Sequence, residues 1–177
     1  AGSICAVRIS VYQTSVDTSG HQVQIQSGFT SPETKVLPSD EAYSYAIEQL
    51  GCPLLIPKDT GEMTLEISIE KDENQTAKLV KFDFEDDKKM LRLAQTTSDY
   101  DTEMGSAVYG DLVAQDTLAI QDWLINIYIV EDNNGQSIFA KWYAEQEQGG
   151  GLHCTVSTTL PMEELKAFLK GLEWRSK

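Results

Sequence analysis

The 177 residues are 41% hydrophobic and 24% charged, the balance of a single globular domain. That balance excludes collagen, coiled-coil, disulfide-miniprotein and wholly disordered chains, and no uncharged apolar run of about 18 residues is present to span a membrane. Twenty-eight acidic against 14 basic residues give a formal net charge of −14, which disfavours nucleic acid and anionic membrane surfaces as partners.

The chain opens with a strand over Cys5 to Gln13, in which Cys5, Val7, Ile9 and Val11 alternate with polar residues. A helix from Ser3 is the alternative, since Ile4, Val7 and Val11 also match helical spacing. Asp17 to Gly20 reads as a turn, and Gln22 to Gln26 as a strand with one wet face. Thr30 to Pro38, with two prolines and little apolar content, reads as a loop. A helix follows, with Ser39 as N-cap, Asp40 and Glu41 at its positive end and Gly51 closing it. Its apolar face is Ala42, Tyr43, Ala46, Ile47 and Leu50. The apolar run Cys52 to Pro57, bracketed by prolines, is extended and buried without being a central strand.

From Met63 the period becomes two. Leu65, Ile67 and Ile69 mark one strand, Leu79 to Phe84 a second and Lys89 to Gln95 a third, an antiparallel meander turning at Asp72–Gln75 and Asp86–Asp87. Thr96 to Ser106 is a polar, acidic loop, and Val108 to Ile120 is open between a short helix and irregular structure. Trp123 to Val130 and Ser137 to Ala144 are paired strands around Asn134-Gly135, which predicts a type I′ turn with two positive φ angles. Gln146 to Gly151 is a glycine-rich link and Leu152 to Thr158 the last strand. A C-terminal helix begins at Pro161 and carries the stripe Met162, Leu165, Phe168, Leu169 and Leu172, with Trp174 near its end on the sheet edge. The sum is an α+β domain: a mostly antiparallel sheet with two or three helices packed on one face. Residues 1–38 form a strand pair and loop, and 39–177 the helix, meander and C-terminal helix of the same domain.

The three cysteines, Cys5, Cys52 and Cys154, read as small buried hydrophobes, with one disulfide plus one free thiol as the alternative. The sequence does not open on a signal peptide at Ala1, which fits a mature or excised fragment, and Ile4 before Cys5 is wrong for a lipid-accepting cysteine. Dinucleotide, Walker, zincin and nucleophile-elbow motifs are absent, and no cofactor or metal site is expected. Asp99, Asp101 and Glu103 resemble the start of a calcium loop but lack its later ligands and its glycine. Asp83, Glu85, Asp86 and Asp87 read as strand-end and turn residues. His153 and Cys154 are neighbours on a strand, so they point to opposite faces and form no thiol–imidazole pair. Trp123 and Trp142 face each other across the paired strands and read as core, with a ligand platform as the alternative.

The order "WLINIYIVED", tight turn, "SIFAKWYAE", glycine link, "LHCTVSTT" and "LPMEELKAFLKGL" resembles a bacterial extracytoplasmic domain family of unknown function, common in Gram-positive bacteria. Its marks here are Trp142, the strand end Thr155 to Thr159, and Glu163-Glu164-Leu165, preceded by "IEQLGCPLLIPKDTGEMTLEISIE". The resemblance covers residues 42–172 and transfers no active site. It implies an extracytoplasmic module that follows a transmembrane helix in anti-sigma-like or lipoprotein-like chains. A more remote similarity to lipoprotein-sorting-type half-barrels implies a concave sheet face for an apolar ligand.

The leading expectation is therefore a non-enzymatic extracytoplasmic binding or sensing module for an unknown protein or small ligand. Its contact residues would be Tyr100, Trp142, Tyr143 and His153, or the loops Thr96–Ser106 and Gln146–Gly151. The alternative is an acidic inhibitor of immunity type that steers onto a basic partner. A carboxylate enzyme using a divalent cation is the third expectation.

Overall fold

In the computed structural model nine strands pair edge to edge, and period-two alternation runs through those inside the sheet. The structure describes residues 6–13, 15–17, 24–26, 33–97 and 110–177. The sheet order is β4 (Glu33–Pro38), β1 (Ala6–Gln13), β6 (Thr64–Lys71), β7 (Ala77–Glu85), β8 (Met90–Thr97), β12 (Gly151–Thr158), β11 (Gly135–Glu145), β10 (Trp123–Asp132) and β9 (Asp111–Ile120). Every neighbouring pair is antiparallel except β1 and β6. That parallel pair needs a crossover, which α1 (Ser39–Leu50) helps to supply. A two-stranded ribbon, β2 (Ser15–Asp17) with β3 (Gln24–Gln26), continues from β1.

The alternation resolves into a dry face and a wet one. Ile9, Ile67, Phe82, Leu93, Val156, Ala140 and Ile127 form one cross-strand row over seven strands, and none is more than 1% exposed. Each such large aliphatic or aromatic side chain contributes about 1.5–3 kcal/mol by leaving water. Both helices lie on this face. The Tyr43 ring of α1 meets Phe82 edge-on at 5.4 Å, and Phe168 of α2 (Met162–Lys170) meets Phe84 at 5.8 Å. Ala42, Tyr43, Ala46, Ile47 and Leu50 are all buried, as the helical spacing requires. Gly51 closes α1 with φ 77° and donates its N–H to the Ile47 carbonyl at 2.9 Å.

A short ribbon, β5 (Leu54–Pro57) with β13 (Leu172–Arg175), joins the helices over the same core. The run from Cys52 to Pro57 is thus extended and buried, outside the main sheet. Gln121, in the β9–β10 turn at φ 52°, spans from the sheet to the end of α2. Its amide donates to the carbonyls of Leu169 and Leu172, each at 3.0 Å.

Several expectations change. Glu33–Pro38 is a strand, β4, where a loop was expected; it is the sheet edge, so it needs little apolar content and tolerates Pro38 at its end. The open segment before Trp123 is strand β9, so the described residues hold two helices. Its first seven residues are exposed on both faces, which erased the alternation. Ser39 does not cap α1: Pro38 occupies the N-cap, and no side chain bonds there. Pro161 holds the same place before α2. Leu172 is buried but begins β13 and leaves the helical stripe at Gly171. The β10–β11 turn sits one residue earlier than a type I′ Asn-Gly turn. Asp132 pairs with Gly135, neither Asn133 nor Asn134 has positive φ, and only Gly135 does, at 119°. The cause is local: the Asp132 carboxylate accepts the Asn134 N–H at 2.7 Å and sets the turn. His21, Cys5 and the acidic group Asp99, Asp101 and Glu103 lie outside the described residues.

Candidate functional site

Strand alternation separates the four residues singled out from sequence. Trp142 points into the core, 4% exposed, with its ring 5.8 Å from that of Trp123. It is a packing residue and not part of a ligand platform. Its indole Nε1 is the one buried side-chain nitrogen or oxygen without a partner among the described residues. Tyr143, the next residue, points to the wet face, where it is 41% exposed. His153 lies directly opposite on β12, and the two rings are 4.9 Å apart. Cys154 turns the other way and is fully buried, so the thiol and imidazole do not meet. Tyr100 and most of the acidic loop lie outside the described residues.

The Tyr143–His153 pair is one corner of a larger surface on β10, β11 and β12. Tyr128 and Phe139 form a second ring pair at 6.1 Å, two rows along the same face. Lys141, exposed, stands between the two pairs on β11, and Leu124 is 72% exposed on β10. Gly151 lets the Tyr143 ring settle: a Cβ there would stand 2.8 Å from Tyr143 Cζ and 2.9 Å from Tyr143 Oη, and against the Ala144 carbonyl. The glycine-rich link thus has a task at its last residue that composition alone hid. The other half of the wet face is a charge ladder. Arg92 holds Asp83 through two bonds, 2.6 and 3.2 Å, and Lys81 holds Glu70 at 3.0 Å. The Asp83 carboxylate raises the Arg92 pKa, so that guanidinium stays charged and committed.

A separate cleft of about 750 Å³ opens where α1 starts, between β13 and β6. Asp40, Tyr43, Lys58, Met63, Trp174 and Arg175 are among its walls. Arg175 lies 5.9 Å from the Tyr43 ring centroid and 3.5 Å from Asp40, and Lys58 is paired with Glu173 at 2.9 Å. Both cations are thereby matched, and the lining holds no His or Cys to act as base or nucleophile. Sequence reasoning missed this cleft because its walls come from segments more than a hundred residues apart. The two thiols among the described residues are equally quiet: burial pushes the pKa of Cys154 well up and raises that of Cys52, and both are free. Asp86 spends its carboxylate on the N–H groups of Lys88 and Lys89, each at 2.8 Å.

Among the described residues, no three His, Cys, Asp or Glu side chains gather as a metal site, and no helix is long and apolar enough to cross a membrane. Neither a family model, nor a curated protein, nor a solved structure matches this chain.

Proposed function

We propose that this chain is a non-enzymatic, extracytoplasmic binding or sensing module that receives its ligand on the wet face of β10 to β12. The observation that carries the reading is the Tyr143–His153 pair, in ring contact across two strands on the face opposite both helices, with Tyr143 41% exposed. Rings held by a rigid sheet give contact area at little entropic cost, and Leu124 and Lys141 beside them add an apolar and a cationic contact. The extracytoplasmic part of the proposal rests on the family resemblance of residues 42–172, which also suggests the outer part of a membrane-anchored regulator or a lipoprotein.

The test is an NMR titration of the labelled chain with neutral oligosaccharides and short peptides. The reading expects amide shifts that cluster at Leu124, Tyr143 and His153, and binding at least tenfold weaker in a Tyr143→Ala/His153→Ala double variant. Shifts that cluster instead around Tyr43 and Trp174 would move the site to the end cleft and overturn the reading.

A further inference from the structure

The two ends of the nine-stranded sheet are built differently. At one end, β4 is short, ends in Pro38 and carries Lys35 beside Glu33. These are the usual means of keeping a sheet edge closed to other strands. At the other end, β9 runs for 10 residues, Asp111–Ile120, with no proline and no lysine. Among the described residues, no strand pairs with its outer side. Its residues 111–117 are exposed, and Leu112 and Val113 are each 52% exposed. In an antiparallel pair, every second residue of an edge strand directs its N–H and C=O away from its neighbour. A bulge opposite Ile129–Val130 leaves Val113 without a cross-strand partner. Bulges of this kind are over-represented at sheet edges and beside sites.

Charge decides what fits this edge. From Gly110 to Gly135 the chain carries Asp111, Asp116, Asp122, Glu131 and Asp132 and no Lys or Arg. All five carboxylates are exposed. A second copy would bring the same five charges, and with −14 on each chain it would be repelled. We propose that β9 receives an extended, cationic segment of a protein partner, which adds to the sheet as a tenth strand. Main-chain bonds to β9 supply the affinity, Leu112 and Val113 receive apolar side chains, and Asp111 and Asp116 receive Lys or Arg. The proposal gives the acidic-inhibitor expectation a surface. It goes beyond the Tyr143–His153 reading, because it uses an edge and not a face, and neither depends on the other.

The probe is a capped Lys–Val decapeptide, titrated into the full chain by fluorescence anisotropy at two salt concentrations. Two further peptides serve as comparisons: a Glu–Val decapeptide, and a Lys–Pro decapeptide of the same charge that cannot form a ladder. The expected result is binding of Lys–Val alone, weakened by salt, with hydrogen-exchange protection gained over β9. An Asp111→Lys/Asp116→Lys variant should bind at least tenfold more weakly. A Glu73→Lys/Asp87→Lys variant, of equal net charge and altered in distant turns, should stay within twofold. Equal binding of Lys–Pro, or equal losses in the two charge variants, would show attraction to overall charge and overturn the proposal. So would protection gained elsewhere than β9, or a dimer in the unliganded chain that buries β9.

Discussion

The side chain of Gln95 bonds to both backbone groups of Leu55. Its amide donates to the Leu55 carbonyl at 2.9 Å and accepts the Leu55 N–H at 2.8 Å. Gln95 is fully buried in phase with Leu91 and Leu93 on β8, so it stands where the core expects an apolar residue. Leu55 belongs to the ribbon laid across that core, and a ribbon there must satisfy its inward-facing backbone groups. One side chain does what a further strand would otherwise do.

Replacing Gln95 by Leu keeps the volume and removes both bonds. Two buried backbone groups are then left without partners, at about 1–3 kcal/mol each, offset in part by the apolar gain. We expect a loss of about 2–4 kcal/mol, read as a lower urea midpoint with an unchanged slope. A loss below that of an ordinary surface substitution would show that the ribbon is held by packing alone.

Gly151→Ala tests the support beneath Tyr143. The new Cβ meets the Ala144 carbonyl and the Tyr143 ring, and the carbonyl is backbone that cannot swing away. We expect about 1–3 kcal/mol of destabilisation from the overpacking, together with displaced Tyr143 ring resonances. Unmoved resonances at full stability would show that Tyr143 does not depend on this close approach.

Acid sensitivity should follow the Asp86 turn in part. The N–H groups of Lys88 and then Lys89 hold its carboxyl below the ordinary aspartate value. A pKa lowered by folding gives stability that is present above the unfolded value, about 3.9, and is lost as the pH falls through the folded one. Asp86→Asn keeps an oxygen acceptor and removes the charge. Its stability should therefore fall less than that of the parent between pH 5 and pH 3, as measured by thermal melts.

The amphipathic elements were legible because burial imposes a period. The α1 face, the β6–β8 meander and the β10–β11 pair could all be read from apolar spacing. What could not be read has the opposite cause. The edges β4 and β9 are solvated, so no period marks them. The parallel β1–β6 pairing joins segments more than fifty residues apart, and nothing local announces it. Alternation also divided the candidate site, sending Trp142 inward and Tyr143 outward, which follows from adjacent positions on one strand. Gln95 did leave a signal, a polar residue in an apolar phase, and its meaning required knowing that Leu55 lay above it.

The place of β12 has a consequence for synthesis. Residues 6–97 supply five neighbouring strands and residues 111–145 supply three more, and each group can assemble as its own residues appear. Among the described residues, the two groups join within the sheet only through β12, from Leu152↔Thr97 to Thr158↔Leu91 on one side and Glu145↔Gly151 to Ile138↔Thr158 on the other. A ribosome must therefore release residues 151–158 before the halves can become one sheet. Until then β8 and β11 are both open edges on the nascent chain, and a stall or truncation ahead of Gly151 leaves two half-sheets able to pair with strangers.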